Sequence, residues 1–112
     1  LEEAARLAPR SLPVWLSRAS LEASRAYSLE GSDADASPHY TASVAHCDRI
    51  IEIDPGLLEG WLYRAQANSE HATWLHRRGS DPWERFDAAV ADLDRALDHY
   101  RVASIGENGG AK

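Results

Sequence analysis

Apolar residues recur at spacings of three and four along most of the chain: Val14, Leu21 and Ala26 around Trp15 and Ala19, then Val44, Cys47, Ile50 and Ile51, then Ala89, Val90, Leu93, Ala96 and Leu97. That period belongs to amphipathic helices, and no stretch alternates with period two for long enough to form a strand. The pattern breaks at Ala8-Pro9-Arg10, at 31–37 (GSDADAS), at Asp54-Pro55-Gly56 and at Arg78-Gly79-Ser80-Asp81, all rich in residues that turn a chain. The breaks predict an all-α fold of five helices, at about 1–8, 12–30, 38–54, 57–78 and 82–103, followed by a flexible, glycine-containing tail over 105–112. Ser11 before Leu12-Pro13, Ser37 before Pro38 and Asp81 before Pro82 set a capping oxygen beside a residue whose fixed φ suits a first helical turn. Asp81 and Glu84 also have the spacing of a capping box. Short and long linkers alternate, so successive helices are expected to pair as antiparallel hairpins.

The chain repeats itself at an offset of 46 residues. Pro9 falls on Pro55; Trp15, Arg18 and Ala19 fall on Trp61, Arg64 and Ala65; Tyr40, Ser43, Cys47 and Arg49 fall on Phe86, Ala89, Leu93 and Arg95, with no gap. One helical repeat domain over 1–104 is therefore expected, made of a partial unit 1–9, a unit 10–55 and a unit 56–104, the chain beginning inside a unit whose first part is missing. Small residues such as Ala19, Ala65 and Ala89 let helices approach, while Trp15, Trp61 and Leu93 are expected to fill the space between them. With Trp61 in the core, its truncation to alanine costs about 3–5 kcal/mol.

These residues resemble the tetratricopeptide repeat, a helix-turn-helix unit with a tryptophan-led first helix and an alanine-marked second helix ending in proline. The third unit reads Trp61-Leu-Tyr-Arg-Ala65, then Phe86, Ala89, Leu93 and Ala96; the second reads Trp15-Leu-Ser-Arg-Ala19, then Tyr40, Ser43, Cys47, Ile50 and Pro55; the opening fragment supplies Leu1, Ala4 and Pro9. The period departs from the family's, which is about 34 residues, and the surplus is expected in a longer first helix and its loop. Arg18 or Arg64 stands where the family has leucine, Ala19 or Ala65 where it has glycine, and Glu22 or Asn68 where it has tyrosine. A HEAT-like repeat, with a period of about 40–47, is the competing fold; the IIEIDP and LEEAARLAP endings favour the tetratricopeptide reading.

The resemblance implies a short right-handed solenoid whose concave face, built by first helices, holds a peptide or helix of a partner protein. Its groove positions correspond here to Pro13, Leu16, Ser20 and Ala23 and to Glu59, Leu62, Gln66 and Ser69. Family members that clamp acidic chaperone tails place Lys and Asn where this chain has Leu16, Ser20, Leu62 and Gln66, so no such clamp is expected. Leu16 and Leu62 read equally as packing for a neighbouring unit. Arg18 and Arg64, matched in both units, are expected to pair with acidic side chains of an adjacent helix.

Composition narrows the picture. A chain of 112 residues fits one domain. Its net charge of −6 argues against nucleic acid or an anionic membrane surface as partner. Cys47 is the only cysteine, which excludes an intramolecular disulfide and points to a reducing, cytoplasmic setting. No apolar run approaches the roughly 20 residues that span a bilayer. The absence of methionine reads as a chain excised from something longer.

Candidate chemistry is sparse. His71 and His76 lie five apart on one predicted helix, where a helical zinc pair uses four; they read as a partly exposed pair. His46 adjoins Cys47, but neighbours on a helix point about 100° apart, and Cys47 occupies a core position. Asp87, Asp92, Asp94 and Asp98 read as a solvated face. No phosphate loop, nucleophile elbow or metalloprotease motif is present, so the expected function is a non-enzymatic interaction scaffold without cofactor or metal. The alternative is a small helical metal protein or enzyme using His71 and His76 or the aspartates. Trp74 and Trp83 are not required by the repeat; they either join the long first helix to its partner or serve as exposed anchors. Val90, Leu97 and Val102 outline an apolar strip on the last helix, and a homodimer through a terminal helix is expected; the alternative is a longer solenoid whose further units cap both ends.

Overall fold

The computed structural model describes residues 11–29, 32 and 34–109, with side chains described through Arg101. Among the described residues the protein is all-α, with four helices and no strand: α1 (Leu12–Ser28), α2 (Ser37–Ile53), α3 (Leu58–Arg77) and α4 (Trp83–Gly109). The helix expected over 1–8 lies outside the described residues. Each observed helix starts within a residue of its expected position. α4 instead runs on through Gly109, past the expected end at 103 and into the segment read as a tail. No proline interrupts it, and Gly106 costs only roughly 1 kcal/mol against alanine, too little to stop an established helix.

Local chemistry sets the ends. Pro13 and Pro38 sit in the first turns of α1 and α2. Asp35 and Asp81 each accept the backbone N–H two residues on, from Ser37 at 3.0 Å and Trp83 at 3.0 Å. Ser11 precedes α1 without a side-chain cap bond. α3 closes at Gly79, whose φ of +78° no β-carbon favours. There Ser80 N–H reaches the Leu75 carbonyl at 2.9 Å and Gly79 N–H that of His76 at 3.0 Å, a Schellman closure. Between α2 and α3, Asp54 Oδ1 accepts Gly56 N–H at 3.1 Å, and Trp61 Nε1 donates to the Pro55 carbonyl at 2.8 Å, fixing the indole to the turn.

Each helix packs on its successor, and α1 also touches α3. Ala19 and Ser43, both buried, bring α1 close to α2: Ser43 Oγ donates to the Ala19 carbonyl at 3.0 Å. At the other end of the helices Ala26, Ala36, Tyr40 and Trp74 form a buried cluster flanked by Leu29 and Leu75. Arg78 closes over it, 4.4 Å from the Trp74 ring centroid, and donates to the Ser32 and Ala34 carbonyls.

One expectation about the core needs correction, and two alternatives divide between the tryptophans. Trp61 is buried and Trp15 half-buried, but Leu93 is 50% exposed, because no described helix covers the outer side of α4. Trp74 and Trp83 part company: Trp74 joins the core, whereas Trp83 is 67% exposed.

Candidate functional site

A groove of about 460 Å³ opens between α1 and α3. Its existence follows from small side chains. Ala19, Ser20, Ala23 and Ser24 of α1 and Ala67 of α3 leave space that larger residues would fill, and Ser43 of α2 closes the floor. Tyr27 and Tyr63 stand at the edges, 69% and 40% exposed. Gln66 and Glu70 complete the lining, Gln66 Nε2 donating to Glu70 Oε1 at 3.3 Å. Glu70 is the one charged residue in the lining, and among the described residues its carboxylate accepts only this long hydrogen bond from a neutral amide. The groove therefore combines a small, mixed floor, two rigid aromatic edges and a carboxylate able to accept stronger donors.

Of the positions implied by the resemblance, Ser20, Ala23 and Gln66 line this groove. Leu16 and Ser69 are half-buried and Glu59 and Leu62 exposed, all four outside the lining. The groove also uses Ser24, Tyr27, Tyr63 and Glu70, which the sequence reading did not single out. The signal was present: Ser20, Ala23, Ser24 and Tyr27, like Tyr63, Gln66, Ala67 and Glu70, follow the i, i+3, i+4, i+7 spacing of one helix face. On α1 the resemblance picked nearly this face, displaced towards the helix N-terminus; on α3 it picked a face rotated by a fraction of a turn.

Of the residues considered for metal or acid–base chemistry, His71, Asp92 and Cys47 are buried in the fold, whereas His76, Asp87, Asp94 and Asp98 are exposed. His71 is buried, its Nε2 3.0 Å from Ser37 Oγ and its ring stacked on Tyr40 at 5.1 Å, which corrects its reading as partly exposed; His76 is exposed. Burial, and then the charge of Arg85, push the His71 imidazole below its ordinary value, against the opposing pull of Asp35. Asp92 also departs from the solvated face read for the aspartates: it is 4% exposed and takes the guanidinium of Arg64, whereas Asp87, Asp94 and Asp98 are exposed. Arg64 spans two helices, since Nη1 also lies 2.8 Å from Asp48 Oδ1 of α2, and the bond to Asp92 is the main cause that raises its already high pKa. Arg18 lies over the Trp15 ring at 5.0 Å. Cys47 is fully buried, and burial, with Asp48 nearby, pushes its thiol up to about 12, so it is a packing residue rather than a nucleophile at neutral pH. Among the described residues no group of three or more His, Cys, Asp or Glu side chains is arranged to hold a metal ion, and no helix is long and apolar enough to cross a membrane.

Comparison with models of protein families, with curated proteins and with solved structures finds no match to this chain.

Proposed function

We propose that the chain is a non-enzymatic scaffold of tetratricopeptide type, a short cytoplasmic solenoid that holds an extended segment or helix of a partner protein in the groove between α1 and α3. The observation that carries this reading is the groove itself: open, floored by alanine and serine, and edged by two exposed tyrosines. Tyrosine offers large contact area at low conformational-entropy cost and a hydroxyl for hydrogen bonding. The 46-residue register supports the same reading, because Ser20 and Gln66 are equivalent positions of successive units and both face the groove. Glu70 suits a partner segment with a donor or cation at that point and disfavours an acidic tail. Binding of this kind requires no cofactor.

The test is a selection from a displayed random-peptide library on the wild-type chain, followed by titration of the enriched peptides against Ala23→Arg, whose long side chain occupies the groove. Peptides that bind the wild type should lose at least tenfold in affinity on the variant while its helical circular dichroism stays unchanged. Equal affinity for both proteins would refute the groove as the binding site.

A further inference from the structure

The contact between α2 and α3 has a specific form. Gly60 lets the α3 backbone lie on α2 so closely that an added Cβ would stand 3.0 Å from Ile50 Cγ2 and 3.1 Å from Ile51 Cγ1. Beside this apolar contact, Arg64 of α3 reaches Asp48 of α2 at 2.8 Å. The 46-residue register carries this face of α2 onto α4: Cys47 onto Leu93, Asp48 onto Asp94, and Ile51 onto Leu97. On α2, Cys47 is fully buried; on α4, Leu93 and Leu97 are 50% and 45% exposed. The same chemistry is thus repeated on α4 with no described helix over it.

The uncovered face is regular. Val90, Leu93, Leu97 and Tyr100 follow one another at spacings of three, four and three, and all are exposed, the spacing of a helix-pairing seam. Asp87, Asp94 and Asp98 form its solvent-side edge. Of the nearby cations, Arg95 is turned to the Trp61 ring at 5.4 Å, and Arg101, exposed, stands at the C-terminal end of this edge beside Asp98, leaving Asp87 and Asp94 as its acidic part.

We infer that α4 is a second docking surface, distinct from the groove, and that its occupant is an amphipathic helix of a partner protein carrying an arginine or lysine beside its apolar stripe, with that cation on Asp94 as Arg64 is on Asp48. Charge selects this occupant over a second copy of the chain. A second α4 would bring its own acidic edge to the first, between chains that each carry −6, and like charges across an interface oppose association. A helix with basic flanks meets the same edge with opposite sign.

Two synthetic helices with the same leucine seam, one flanked by arginine and the other by glutamate, test this by fluorescence anisotropy against the full chain. The arginine-flanked helix should bind at least tenfold tighter than the glutamate-flanked one, Asp87→Arg/Asp94→Arg should invert the preference, and Leu93→Asp should abolish binding of both. The substituted side chains are exposed, so circular dichroism should show all variants folded. Equal affinity for the two helices, binding to neither, or an unchanged preference in the double variant would overturn the inference. So would sedimentation showing a dimer that Leu93→Asp converts to monomer, since the face would then belong to a second copy. Failure of the groove reading would leave these results unchanged, because Ala23→Arg does not touch α4.

Discussion

The guanidinium of Arg64 meets the carboxylate of Asp92 edge on, with Nε 2.9 Å from Oδ2 and Nη2 2.7 Å from Oδ1. Asp92 is buried and among the described residues Arg64 is the cation paired with it, whereas Arg64 has a second carboxylate in Asp48. The pair is therefore asymmetric. Arg64→Ala strands a buried charge and should cost about 3 kcal/mol; Asp92→Ala leaves the arginine its partner on α2 and should cost measurably less. Urea denaturation of both variants checks the order, and equal losses would contradict it.

Gly60→Ala separates helix propensity from packing. In an open helix alanine gains about 1 kcal/mol over glycine, but here the new methyl meets Ile50 and Ile51, and because Ile50 is fully buried its displacement must be passed on to close-packed neighbours. The net effect should be a destabilisation of about 1–2 kcal/mol, read as a lower urea midpoint. A stabilised variant would mean that α2 and α3 are less closely packed.

The two non-repeat tryptophans should behave as opposites. Trp74→Ala removes the largest member of a buried cluster and should cost about 3–5 kcal/mol, whereas Trp83→Ala, at an exposed site, should change stability by less than about 0.5 kcal/mol. Acrylamide should quench the Trp83 contribution to fluorescence well before that of Trp74.

Acidification should weaken the fold through His71. Its folded pKa lies below the ordinary 6.5, so on acidification the unfolded chain takes up the proton first. The stability that the neutral ring contributes is complete above about pH 6.5 and is lost as pH falls through the lowered folded value. Glu22 acts in the same direction at lower pH: although burial raises its pKa, hydrogen bonds from His39 and Arg25 bring it below 4.5. Melting temperature should fall between pH 7.5 and 5.5, and His71→Gln should flatten that interval while leaving the steeper loss below pH 4.5.

The fold was legible where the determinants are local. Helix period, together with Pro13, Pro38, Asp54-Pro55-Gly56 and Gly79, located the starts of all four described helices, since caps and turns act within a few residues. What depends on neighbours was not legible. Periodicity marked Leu93 as belonging to an apolar face but carries no information on whether another helix covers it. Likewise Trp74 and Trp83 differ in burial because only Trp74 faces Tyr40 and Ala26, a relationship between helices rather than along one. Asp92 looked like its solvent-facing neighbours until Arg64, 28 residues away, was found beside it. Of the groove, the resemblance supplied Ser20, Ala23 and Gln66; Tyr27 lies one turn further along the same face of α1, while Tyr63 and Glu70 depend on the rotation of α3 about its axis, which packing on α2 sets.

The most direct test of the scaffold role is a ¹H–¹⁵N correlation titration of the wild-type chain with a peptide enriched in the library selection. Backbone amides of Ser20, Ala23, Tyr27, Tyr63, Gln66 and Glu70 should shift together and saturate with one affinity. Shifts confined to other faces of the protein, or none at saturating peptide, would contradict the assignment of the groove between α1 and α3 as the site where a partner is held.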